Sequence, residues 1–165
     1  MCPRERFTPV SGIEIKIGRW VVASIALQLQ PLIEDTLSMQ FFVEGVDREE
    51  KAWFQADSVV LRVTGPFPVI GMGTTRYRFE AMVMLTDLVD DSSNAFANHD
   101  RLGEISNSLA GPIPVLKHGD GGALIGCLDI DRNAKEFLRT VHFGKLNKDT
   151  EVVQAAVTAK YEICL

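Results

Sequence analysis

The chain has 165 residues, of which 46% are hydrophobic and 24% are charged, and this is the composition of an ordinary globular domain rather than of a disordered segment. A net charge of −5 argues against a nucleic-acid-binding surface, because phosphate contacts need clustered Lys and Arg. The longest apolar stretch, residues 20–29, is about half a membrane span, and the N-terminus lacks the apolar core of a signal peptide. We therefore expect a soluble protein made in the cytoplasm, with an N-terminal arm over 1–12 and a single α+β domain over 13–165.

The first part of the domain has a helical pattern. Isoleucines alternate with charged residues over 13–17, as in a short strand or the approach to a helix. From Arg19 the apolar residues recur every three or four positions, which predicts a helix over 19–30. Pro31 removes a backbone donor and clashes with the preceding turn, so this helix must end or kink there, with room for a second segment before Leu37.

Three strands are predicted next, over 38–44, 52–64 and 74–89, and Gly65-Pro66 is expected to end the second of them. On the second strand Val59, Leu61 and Val63 share one face. The third alternates most clearly, and its inward side chains are predicted to be Tyr77, Phe79, Ala81, Val83 and Leu85. Met82 and Met84 then point outward, so part of the second face must be covered by a helix or by another subunit.

A central helix is predicted over 95–110. Ser92, Ser93 or Asn94 is expected to cap its first amides, and Gly111-Pro112 fits a left-handed stop. Its buried stripe is predicted to comprise Phe96, Leu102, Ile105 and Leu109.

The remainder is typical of strands, over 113–116, 124–130, 136–143 and 151–164, with a glycine-rich turn at 119–122. The last strand alternates throughout, and its length makes it a candidate edge strand. Clustered strands with few helices favour an α+β fold, with a mostly antiparallel sheet flanked by the N-terminal helix and the central helix.

No catalytic motif is present. His99, His118 and His142 are expected on the surface or a sheet face, since no GxSxG accompanies them. Asp120, Asp129 and Asp131 do not follow the calcium-loop pattern, and a solvated hairpin loop is the preferred interpretation.

Two further patterns also lack the context that chemistry requires. Gly119-Asp120-Gly121-Gly122 has no following Lys-Ser/Thr and no helix after it, so it is a turn rather than a phosphate cradle. Asp87, Asp90 and Asp91 are interpreted as favourable charge near a helix N-terminus. We therefore predict no catalytic, cofactor-binding or metal-binding residues, and a protein that is not an enzyme.

The three cysteines, Cys2, Cys127 and Cys164, form no CxxC and no Cys/His cluster, so a zinc site is not expected. The preferred interpretation is unpaired thiols. An alternative is that Cys2 or Cys164 cross-links neighbouring subunits in an oxidising medium.

The order of the elements resembles a known family. After the N-terminal helix come the long strand Tyr77-Arg78-Phe79-Glu80-Ala81-Met82-Val83-Met84-Leu85, an acidic turn, and the helix that begins Ala95-Phe96-Ala97-Asn98-His99. Pro112-Ile113-Pro114-Val115 and the closing Val157-Thr158-Ala159-Lys160-Tyr161-Glu162-Ile163 complete the pattern. Over about residues 15–165 this resembles the small tail-terminator and tail-completion proteins of long-tailed bacteriophages.

The resemblance implies a structural virion protein of the tail or neck, made in the host cytoplasm. Its copies would form a homohexameric ring between the tail tube and the head–tail connector protein. Partners would be other copies of itself, the tail tube or sheath protein and the connector, with DNA passing through without sequence-specific binding and with no membrane contact. The proline-interrupted first helix and the N-terminal arm depart from the family pattern.

Alternatives remain open. They are another phage neck, tube or head-closure protein, a cellular oligomeric scaffold or binding module, and a small enzyme that uses Asp87 or Asp120 with His118.

Overall fold

The computed structural model describes residues 12–47, 57–69, 76–88, 97–145 and 152–165. Within these ranges the chain forms two α-helices, one π-helical turn (Pro31–Thr36) and seven strands. The helices are α1 (Gly12–Gln30) and α2 (Ala97–Ala110). The strands are β1 (Gln40–Val43), β2 (Ser58–Val69), β3 (Arg76–Leu88), β4 (Ile113–Leu116), β5 (Leu124–Ile130), β6 (Leu138–Lys145) and β7 (Val152–Cys164). The predicted arm and the helix caps at 92–94 lie outside the described residues.

The strands form one curled sheet in the order β1-β2-β3-β7-β5-β4, and β6 pairs with β7 beside β5. The β1–β2 pairing is parallel, and the other pairings among the described strands are antiparallel. Both helices contribute to the hydrophobic core that covers one face of the sheet. The predicted α+β class, with its N-terminal and central helices, is therefore confirmed.

The first helix is longer than predicted, because the isoleucine-rich segment before Arg19 already belongs to α1. Ile17 is fully buried, and Trp20, Val21 and Ile25 continue the same face. Tertiary packing of this face therefore overrides the short alternating pattern. The predicted interruption at Pro31 is correct, since the α-helix ends at Gln30 and a π-helical turn follows.

Strand β2 does not end at Gly65-Pro66 as predicted, but continues to Val69. The pairing with β3 shifts register between Thr64 and Phe67, so a bulge accommodates the proline, which cannot donate to the ladder. Gly65 has a φ of 126°, and a Cβ there would lie 2.8 Å from the Arg78 carbonyl oxygen. Only glycine fits this close approach of the two strands.

Strands β3 and β7 form the centre of the sheet. Alternation predicts their inward side chains, and Val153, the first of those predicted on β7, is only half-buried. The predicted inward side chains that are buried are Tyr77, Phe79, Ala81, Val83, Leu85, Ala155, Val157, Ala159, Tyr161 and Ile163. The prediction that β7 is an edge strand is wrong, because β3 pairs with it on one side while β5 and β6 pair with it on the other. Ala155, Ala156 and Val157 are buried in succession, and beyond them the alternate residues Ala159, Tyr161 and Ile163 are buried.

Helix α2 packs Leu102, Ile105 and Leu109 into the core, as predicted, while the fourth residue of the predicted stripe, Phe96, lies outside the described residues. The predicted left-handed stop at Gly111 is wrong, since Gly111 is not among the residues with positive φ. The Tyr161 hydroxyl donates to the Leu109 carbonyl oxygen at 2.6 Å and so satisfies one of the free acceptors at the helix end. Burial raises the pKa of this hydroxyl.

The connection between β4 and β5 is the glycine-rich turn that the sequence predicts. Gly119, Gly121 and Gly122 all have positive φ, which confirms a turn at 119–122. In the described part of the chain, no helix has the length and apolar character needed to cross a membrane.

Candidate assembly surface around strand β6

Strand β6 lies at the side of the sheet. It pairs with β7 through Leu138↔Ala159 to Lys145↔Val153, and no other described strand pairs with it. The Lys160 amide donates to the Phe137 carbonyl at 2.8 Å, and antiparallel pairs alternate in their hydrogen bonding. The backbone groups of Leu138, Thr140 and His142 therefore point away from β7, toward an edge that is open as far as the described residues go.

A cleft of about 520 Å³ separates this edge from α2. The strand side is lined by Leu138, Thr140 and His142, the residues with outward backbone groups. The helix side is lined mainly by small or polar side chains, at positions 103, 106, 107 and 110. An extended backbone segment can therefore enter the cleft and contact both walls without a steric clash.

Two histidines stand together at one side of this cleft. The rings of His99 on α2 and His142 on β6 have centroids 4.5 Å apart and are tilted by 37°. Both residues are exposed, as predicted, but their proximity depends on the packing of α2 against β6 and has no signal in the sequence.

The opposite face of β6 borders a second groove, of about 310 Å³. Val141 and Phe143 form its apolar part, and Phe143 is 56% exposed. Arg139 donates to Glu136 at 3.1 Å beside them. Thus β6 carries an open edge with a concave surface on each side.

The second groove is the end of an apolar row that crosses five strands on the face opposite the helices. The row joins direct cross-strand partners: Phe42, Val60, Met84, Ala156 and Val141. At the usual strand spacing it is about 19 Å wide. The prediction that Met84 points away from the core is confirmed by this pairing, and Met82 lies in the neighbouring row, paired with Thr158.

The far edge of the sheet, at β1, differs from β6. Strand β1 has four residues, against eight in β6. The Asp47 carboxylate accepts a hydrogen bond from the Val43 amide at 2.6 Å. A short edge with a carboxylate bound to it is poorly suited to pairing with another strand.

Asp120, considered in the sequence as a catalytic or cation-binding residue, fastens the β4–β5 turn to α1. Its carboxylate accepts from Lys16 at 2.9 Å, from the Trp20 indole at 3.1 Å and from Arg19. The hydrogen bond from Lys16 is the main cause that lowers the pKa of Asp120, and the Trp20 indole acts in the same direction. Lys117 lies 5.7 Å from the centroid of the Trp20 ring.

His118 lies in the same turn but faces a different partner. Its Nε2 is 3.2 Å from Ser24 Oγ, which also accepts from the Leu116 amide at 3.2 Å. Ser24 is 5% exposed, so this pair joins α1 to β4 and has little access to a substrate.

The remaining acidic candidates are separated from that turn. Asp87 forms an ion pair with Arg101 of α2. Asp131 is 3% exposed and pairs with Arg78 at 3.0 Å, so the prediction of a solvated loop is wrong for this residue. The described residues contain no cluster of three or more metal-ligating side chains.

No protein-family profile matches the chain, and no curated protein matches it. Solved structures do match, one of them with a TM-score of 0.48 and 13% sequence identity, over 88% of this chain and 94% of that chain. A similarity of this size supports no inference about function.

Proposed function

We propose that the chain is a structural subunit of a homo-oligomeric ring, a hexamer at the tail-terminator position of a tailed bacteriophage, between the tail tube and the head connector. The observation that carries the proposal is the open edge of β6, set between two concave surfaces. The viral context comes from the order of the helices and strands, which resembles that of the tail-terminator proteins.

The β6 edge has the properties of a docking site for a second copy. Three alternate residues of β6, Leu138, Thr140 and His142, offer outward backbone donors and acceptors that an extended segment can pair with. The small side chains of α2 allow such a segment to enter the cleft from the helix side. The apolar groove formed by Val141 and Phe143 adds buried area on the other side.

In the proposed ring the β6 edge of one copy contacts a surface of the next copy other than its β1 edge. The β6 edge is open, whereas the β1 edge is short and partly bound by Asp47. A surface that receives a different surface of the next copy gives a heterologous interface, and a heterologous interface closes into a ring when the rotation allows it. This is the geometry that a terminator ring requires.

A matched pair of substitutions tests the interface. Phe143→Asp places a charge in the β6 groove, while Phe67→Asp places the same charge at a similarly exposed phenylalanine on β2, 56% against 49% exposed. We expect light scattering to give a particle of six times the 18.3 kDa chain mass for the wild type and for Phe67→Asp. Phe143→Asp should give the single chain.

Isolated phage tails test the location. The purified protein, labelled with gold, should bind at one end of tails that lack their terminator, and Phe143→Asp should lose this binding. A wild-type chain that stays at 18.3 kDa both alone and with such tails would contradict the proposal.

A further inference from the structure

Cys127 and Cys164 are separated in sequence but lie together in the fold. Both are exposed, and both line a cleft of about 440 Å³ on the sheet face opposite the helices. Cys127 belongs to β5 and Cys164 ends β7. The ring contact proposed at β6 does not involve this cleft.

The register of β5 and β7, continued past the last paired residues, sets the two cysteines opposite each other. The ladder pairs Ile130 with Tyr161 and Asp129 with Glu162, and two residues beyond its end Cys127 and Cys164 line the same cleft. The strands stay adjacent there, because a Cβ on Gly126 would lie 3.3 Å from the Cys164 carbonyl oxygen. Leu128 and Ile163, which lie between the last paired residues and the cysteines, are both buried in the core.

Their separation fits a disulfide. At the continued register the two cysteines are directly opposed residues of antiparallel strands. Directly opposed residues of such strands have Cα atoms about 4.5–5.5 Å apart. Disulfides span Cα separations of about 4.4–6.8 Å.

We propose that Cys127 and Cys164 are an oxidisable dithiol. A small-molecule disulfide such as oxidised glutathione would oxidise the two thiols to an intrachain, cross-strand disulfide. One cysteine thiolate attacks a glutathione sulfur, which forms a mixed disulfide and releases one glutathione thiolate. The second cysteine thiolate then attacks the protein sulfur of the mixed disulfide and releases the second glutathione. Two protein thiols are oxidised to one disulfide, and one glutathione disulfide is reduced to two thiols.

The bond would fasten the end of β7 to β5. On its other side this end of β7 pairs with Arg76 of β3, whose guanidinium lies 3.1 Å from Glu162 Oε1 without hydrogen-bond geometry. Closing the loop from residue 127 to 164 restricts the unfolded chain, so oxidation should raise Tm by about 5–10 °C.

The experiment exposes the full chain to oxidised glutathione and identifies the linked peptides by mass spectrometry. Cys2→Ser should lose the mass of two hydrogen atoms, and both this variant and the wild type should yield one peptide pair joined through Cys127 and Cys164. Cys127→Ser and Cys164→Ser should each retain one glutathione on the remaining strand cysteine. Their Tm should not rise on oxidation.

Three results would overturn the inference. They are stable glutathione adducts on both Cys127 and Cys164 of the wild type, links that contain Cys2, and covalent dimers in place of the intrachain bond. None depends on ring formation, so the dithiol and the proposed assembly are tested separately.

Discussion

The two edges of β7 differ in how they are paired. Toward β3, the ladder runs without a register shift along the 13 residues of each strand. On the other side β5 pairs with Tyr161 and Glu162, and β6 pairs with residues from Ala159 to Val153 with a register shift between His142 and Gly144. The continuous edge belongs to the buried core, while the divided edge borders the clefts. Stability and proposed assembly are therefore assigned to opposite sides of one strand.

The largest expected effect comes from the continuous side. Phe79 on β3 is 2% exposed, and Phe79→Ala should lower the free energy of unfolding by about 3–5 kcal/mol, because it removes buried contacts and leaves a cavity. Phe143→Ala on the divided side should change it by less than about 0.5 kcal/mol. Urea unfolding of both variants measures the difference, and equal losses would refute the assignment.

A smaller loss is expected where α2 is fastened to β7. Tyr161→Phe removes the hydroxyl that binds the Leu109 carbonyl, which leaves a buried acceptor without its partner. We expect a loss of about 1–3 kcal/mol in the free energy of unfolding. Hydrogen exchange should show faster opening at the end of α2, and unchanged exchange there would contradict the role of this bond.

The smallest effect concerns Asp120, and it depends on pH. Its pKa is lowered in the folded chain, so the carboxylate contributes stability above its unfolded pKa of about 3.9, and this contribution is lost as the pH falls through the lower folded value. Asp120→Asn should therefore be less stable than the wild type at pH 7, with the gap closing below about pH 4. A gap independent of pH would show that charge is not involved.

Much of the fold could be predicted because its signals are local. Alternation in β3 and β7 identified the inward side chains, Pro31 marked the end of α1, and the glycines of 119–122 marked a turn. The wrong predictions concern features that are determined by contacts between residues distant in the sequence. The bulge opposite Arg78 carries β2 through Gly65-Pro66, and the pairing of β7 on both edges makes a long alternating strand central.

The candidate sites were less accessible to sequence reasoning. The open edge of β6 follows from the order of strands, and the meeting of His99 with His142 follows from how α2 packs. Cys127 and Cys164 become neighbours only through the β5–β7 register. Alternation within β3 predicted the outward position of Met84, because that position depends on β3 alone.

The open β6 edge is the central claim, and Thr140→Pro tests it most directly. The Thr140 amide points away from β7, so proline removes an outward donor and keeps the hydrogen bonds between β6 and β7, while Thr140→Val retains the donor and serves as the control. Sedimentation velocity should show the wild-type assembly for Thr140→Val and the 18.3 kDa chain, still folded, for Thr140→Pro. Assembly of Thr140→Pro at the wild-type size would contradict the account.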